Sequence, residues 1–123
     1  MTPLPEILRC LHAEGARTFE LALSADLPQF EGHFPDIPIL PAVAQIDWAI
    51  RLAREHFAPP ARFQALRALK FTRVVQPPVP VTLELRAHAS GRAIEFAYTQ
   101  SGAACSSGRI EFTDETGAGR TVL

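Results

Sequence analysis

"PAVAQIDWAIRLAREHF", residues 41–57, carries apolar residues at helical spacing, with no glycine or proline between Pro41 and Pro59. Pro41 suits the first helical position, where its missing N–H costs nothing. Ala42, Val43, Ala44, Ile46, Trp48, Ala49 and Ile50 make the first three turns apolar nearly all round. That pattern predicts a helix buried on most sides. Arg51, Arg54, Glu55 and His56 bring the last turn into water, and Arg54 and His56 suit the negative end of the helix dipole.

The helix is entered through "ADLPQFEGHFPDIPIL" (25–40), whose prolines and glycine exclude regular helix. It is long for a loop, and long ordered loops tend to carry function. Before it, "RTFELALS" (17–24) alternates at strand period, and residues 3–12 read as a short helix. After the helix, "RFQALRALKFTRVV" (62–75), "VTLELRAHAS" (81–90), "AIEFAYTQ" (93–100) and "AACSSGRIEFTD" (103–114) read as four successive strands. Val81, Leu83, Leu85, Ala87 and Ala89 alternate with Thr82, Glu84, Arg86, His88 and Ser90. Ser90-Gly91 and Ser101-Gly102 mark hairpins. Residues 115–123 read as a frayed tail, and the whole of 1–123 as a single domain.

Strands joined by short turns, with one apolar helix, predict an α+β fold: a curved antiparallel sheet of five to six strands wrapped round one long central helix. Such a sheet has two open edges, and edge-to-edge dimerisation would cover one of them.

Composition excludes several classes. Apolar residues make up 47% and the net charge is −1, with Lys70 the only lysine, so no basic field exists to attract nucleic acid. No apolar run approaches a membrane span. The first residues lack the basic start and apolar core of a signal peptide. Cys10 and Cys105 stand far apart, without metal-site spacing, and read as reduced packing thiols. These features predict a cytoplasmic protein that binds no metal.

Two ionisable groups stand out. His33 is the histidine inside the stiff loop, and Asp47 is the carboxylate inside the apolar part of the helix. Burial disfavours the charged form of a carboxylate. An imidazole titrates near neutrality. A base and an acid whose environments separate their roles form an acid–base pair. The fourteen positions between them exclude a shared helical face, so the loop must fold back or a second subunit must supply one partner. The competing assignments are a solvated His33 and a surface Asp47. His12, His56 and His88 read as surface or structural residues, and Trp48 as core.

The stretch "HFPDIPILPAVAQID" resembles the signature of the FabA/FabZ-type 3-hydroxyacyl-thioester dehydratases, which have the hot-dog fold. His33-Phe34, Pro35, Pro38, Pro41 and Asp47 match its positions. "LPAVAQIDWAI" is especially similar to the small ApeI-type dehydratases of aryl polyene pathways. The resemblance spans about residues 17–113.

It implies that His33 removes the C2 proton of a 3-hydroxyacyl thioester and that Asp47 protonates the departing hydroxyl. It also implies that the two come from different subunits of a homodimer, or of a higher oligomer of dimers. The backbone N–H of Ala42 would hold the thioester carbonyl, and Phe34, Pro38, Pro41 and Val43 would border the substrate. The buried helix would line a tunnel for the acyl chain. No cofactor is implied; the acyl group arrives on the phosphopantetheine arm of an acyl carrier protein or of coenzyme A. Arg62, Arg67, Lys70 and Arg73 are candidates for docking an acidic carrier, or form a solvated strand face. Ala42 and Asp36 stand where the family usually has glycine. Two rival functions remain: a hot-dog thioesterase that needs Asp47 but not His33, and a non-catalytic module that binds acyl carriers.

Overall fold

The computed structural model describes residues 3–30 and 38–115. Six strands, β1 (Ile7–Ala13), β2 (Ala16–Leu21), β3 (Arg62–Phe71), β4 (Val81–Ala87), β5 (Ala93–Gln100) and β6 (Ala103–Thr113), form one sheet. Its order is β1-β2-β4-β5-β6-β3, antiparallel throughout. One helix, α1 (Ala42–Phe57), packs on the inner face.

The helix sits there because its apolar residues repeat at the right interval. Ala44, Trp48, Ala49, Leu52 and Ala53 are buried, at i, i+4, i+5, i+8 and i+9. They meet Phe19 and Leu21 of β2, Leu83 and Leu85 of β4, and Phe96 of β5, all 2% exposed or less, within one hydrophobic core. Trp48 is fully buried, as its setting in the sequence predicts. The alternation in β4 also holds: Val81, Leu83 and Leu85 face inward with no exposed surface. The outer face carries ion pairs, Arg86 with Glu84 at 3.2 Å and Arg67 with Glu111 at 2.8 Å among them. Each such exposed pair contributes little.

Several expectations are corrected. Residues 7–13 are a strand, not part of a helix. Ile7, Leu8 and Leu11 have helical spacing, but Gly15, at φ +71°, turns the chain back so that β1 pairs with β2 from Ala13↔Ala16 to Ile7↔Leu21. Cys10 therefore lies in a strand. The four later strands are not a simple meander either. β4, β5 and β6 are, but β3 lies at the far edge beyond β6, and β4 crosses back to β2.

Pro41 caps the helix from outside, with φ −64° and ψ 152°, and does not open it as its first residue. Finally, the first turn of α1 is not buried all round: Ala42 and Val43 are exposed, Val43 at 78%, because the sheet of one chain covers just one helical face, while Arg54 and Glu55 are exposed as expected.

The predicted strand 62–75 ends at Phe71, and its last residues form an irregular strip. Residues 116–123, most of the expected tail, lie outside the described residues. No helix among the described residues is long and apolar enough to cross a membrane.

Candidate active site

The start of α1 is built as an anion-friendly corner. Gln45 N–H donates to the Pro41 carbonyl at 3.1 Å, the first bond of the helical ladder. The N–H groups of Ala42, Val43 and Ala44 precede that bond and have no helical acceptor. Pro41 offers no side-chain cap. The positive end of the helix dipole adds to these donors.

A depression of ≈ 320 Å³ lies at this corner. One wall is Ile39, Leu40, Pro41, Ala42 and Gln45; the other is the strip Phe71–Val74. Hydrogen bonds fix both walls. Leu40 N–H donates to the Val75 carbonyl at 2.8 Å, and Thr72 N–H to the Cys105 carbonyl at 2.8 Å. Pro41 and Ala42 thus border the depression. Pro38 is half-buried just upstream. Val43 is exposed beside Ala42 but does not line the depression. His33, Phe34 and Asp36 lie outside the described residues.

Ala42 in place of glycine strains nothing in the backbone. Among the described residues the non-glycine positions with positive φ are Ala58, Ala68 and Ser101, and Ala42 is helical.

Asp47 stands one turn further along. Its environment differs from the one the sequence suggested: the side chain is 43% exposed, and Arg51 Nη1 donates to its Oδ2 at 3.3 Å. Ile46 and Ile50, before and after it along the helix, are partly buried against the core, so Asp47 sits at the edge of the covered face and not within it. The desolvation expected for Asp47 is not supplied by this chain alone.

The buried polar group of the helix is instead Gln45, at 3% exposure. Its Nε2 donates to the Leu40 carbonyl at 3.0 Å. Its Oε1 accepts from Ser106 Oγ at 2.6 Å, and its main-chain carbonyl accepts from Tyr98 Oη at 2.7 Å. Burial pushes the Tyr98 hydroxyl well above its usual range, and the nearby Asp47 charge adds to this, so Tyr98 stays a donor. Sequence reasoning missed this trio. The signal was present: Gln45 is polar within the same apolar turns as Asp47, and Tyr98 is the only tyrosine.

The remaining candidates are dispersed. Arg62, Arg67, Lys70 and Arg73 are exposed along β3 and the strip after it, with Arg73 at the rim of the depression. His56 packs edge-on against Phe19 at 4.9 Å and against His12 at 6.3 Å, and His88 faces Glu95 at 3.1 Å. No group of three or more metal-ligating side chains occurs among the described residues.

One helix clasped by six antiparallel strands, with a donor-rich cavity at the helix start, defines a hot-dog fold. The model of the ApeI-like family, described as ApeI dehydratase, matches residues 10–109, and the chain belongs to that family. It is similar to the dehydratase heterocomplex ApeI:P from Xenorhabdus doucetiae, at 30% identity and TM-score 0.80, over 87% of this chain and 96% of that one. An uncharacterized protein from Erwinia carotovora subsp. atroseptica is similar at 29% identity and TM-score 0.77, over 90% and 97%. The dehydratase domain of the polyketide protein PpsC from Mycobacterium tuberculosis shares the fold at 17% identity and TM-score 0.73, over 94% of this chain but 47% of that one. No curated protein matches the sequence.

Proposed function

We infer that the chain dehydrates a 3-hydroxyacyl thioester to the trans-2-enoyl thioester. The observation that carries this reading is the depression at the start of α1, with the Ala42 N–H at its wall and Asp47 one turn further on. The thioester carbonyl accepts from that N–H, where negative charge develops as C2 loses its proton. His33 takes the C2 proton. The C3–O bond breaks as the C2–C3 double bond forms, and the hydroxyl leaves as water with the proton of Asp47. The proton gained by His33 balances the one given up by Asp47. Phe34, Pro38 and Pro41 border the acyl group. Each proton transfer is worth about 10²–10⁴-fold in rate.

The working unit is a homodimer or an assembly of such dimers, in which His33 and Asp47 of one site come from different subunits. The uncovered side of α1 and the apolar residues Phe63, Leu69 and Phe71 of edge strand β3 support this. A second copy would desolvate Asp47, which one chain leaves half-exposed. The ApeI:P heterocomplex favours a second reading, in which the partner subunit is a different chain.

The enzyme needs no cofactor of its own. Its acyl group is carried on the phosphopantetheine arm of acyl carrier protein or coenzyme A, with Arg62, Arg67, Lys70 and Arg73 available to an acidic carrier. It acts in the cytoplasm, as one domain. Absorbance of the enoyl thioester, followed with carrier-bound and coenzyme A substrates, tests the reading. Release of free thiol in its place would make the protein a thioesterase. Tight binding without either product would make it an acyl-carrier-binding module.

A further inference from the structure

At Gln45 three different parts of the fold meet at the start of the helix. Its side-chain amide holds the Leu40 carbonyl, immediately before Pro41. Its side-chain oxygen is held by Ser106 of β6, and its main-chain carbonyl by Tyr98 of β5. Leu40 is in turn bonded to Val75, the residue that follows the opposite wall of the depression. A buried amide satisfied on both ends is expensive to misplace, because any shift leaves a polar group unpaired. A fully apolar residue would fill the space but fix nothing.

We propose that Gln45 is a positioning residue: anchored by Tyr98 and Ser106, it sets the place of the Pro41–Ala42 peptide, and hence of the N–H that receives the substrate carbonyl. This rests on the dehydratase reading and adds to it. Displacement of a group that must meet developing charge lowers turnover more than binding, and roughly 1 Å of misplacement costs on the order of 100-fold. A residue that merely stabilises the core would lower the melting temperature and leave the turnover of folded enzyme unchanged.

The test compares Tyr98→Phe, Ser106→Ala and Gln45→Met with Ile94→Val, a core truncation outside the network. Turnover and KM are measured on a 3-hydroxyacyl carrier-protein substrate, with melting temperatures and the amide NMR resonances of Ala42 and Val43. The expected result is that kcat falls roughly 10- to 100-fold in the three network variants while KM changes little. The Ala42 resonance shifts in all three, and Ile94→Val alters neither. Unchanged kcat with an unmoved Ala42 resonance would overturn the proposal. So would losses that follow melting temperature alike in network and control variants. If wild type dehydrates no 3-hydroxyacyl thioester, the dehydratase reading fails, and the Ala42 resonance alone then decides whether Gln45 fixes the helix start.

Discussion

Arg51 Nη1 lies 3.3 Å from Asp47 Oδ2, one helical turn away, with the Arg51 side chain 22% and the Asp47 side chain 43% exposed. This pair separates stability from activity. A partly exposed i,i+4 pair such as this contributes about 0.3–0.5 kcal/mol. Asp47→Asn should therefore move the melting temperature by only about 2 °C. Dehydration should fall by about 100-fold or more, since the acid is gone. Thermal melts beside initial rates check both. A large loss of stability would give Asp47 a structural role.

Tyr98 predicts an alkaline weakness. Its pKa is raised in the folded protein above the ordinary value of 10.0. Its stabilising contribution is thus whole below pH 10 and declines as pH rises beyond it, while the unfolded chain ionises and the folded chain does not. One such proton is worth about 1.4 kcal/mol per pH unit. Denaturant titrations from pH 9 to pH 11 should show a decline in wild type that exceeds the decline in Tyr98→Phe. Parallel curves would contradict it.

Gly108 makes room for its neighbours. A Cβ there would meet Leu69 Cδ2 at 2.5 Å and Phe96 Cε2 at 2.7 Å. Phe96 is buried and cannot swing into water. Gly108→Ala should cost about 1–3 kcal/mol, read from urea unfolding. Leu69→Ala in the same chain should restore only part, because the Phe96 contact remains.

Edge strand β3 tests the assembly. Phe63 and Leu69 are 44% and 40% exposed in the single chain. Changing both to lysine should leave far-ultraviolet circular dichroism intact and halve the mass seen by sedimentation. Loss of activity should accompany loss of the dimer. A fully active monomer would place the whole site within one chain.

The parts of the fold legible in sequence were those governed by local period. The helix and strands β2, β4, β5 and β6 follow from spacing and from turns such as Ser90-Gly91. β1 is not legible as a strand because Pro3 and Pro5 suit a first helical turn, while its pairing depends on β2 across Gly15. The far-edge place of β3 is likewise a matter of long-range pairing that no local pattern encodes. In the site, apolar neighbours suggested burial for Asp47. Composition, however, does not say which side of a helix one chain covers. That side holds Gln45, two residues earlier, whose buried amide ties the helix start to β6.

The most direct measurement is mass spectrometry of a 3-hydroxyacyl carrier protein incubated with wild type, His33→Ala and Asp47→Asn. Loss of one water with wild type, and an unchanged acyl group with either variant, is the expected result. Loss of the whole acyl group, or no change with wild type on any acyl chain, would contradict the dehydratase assignment.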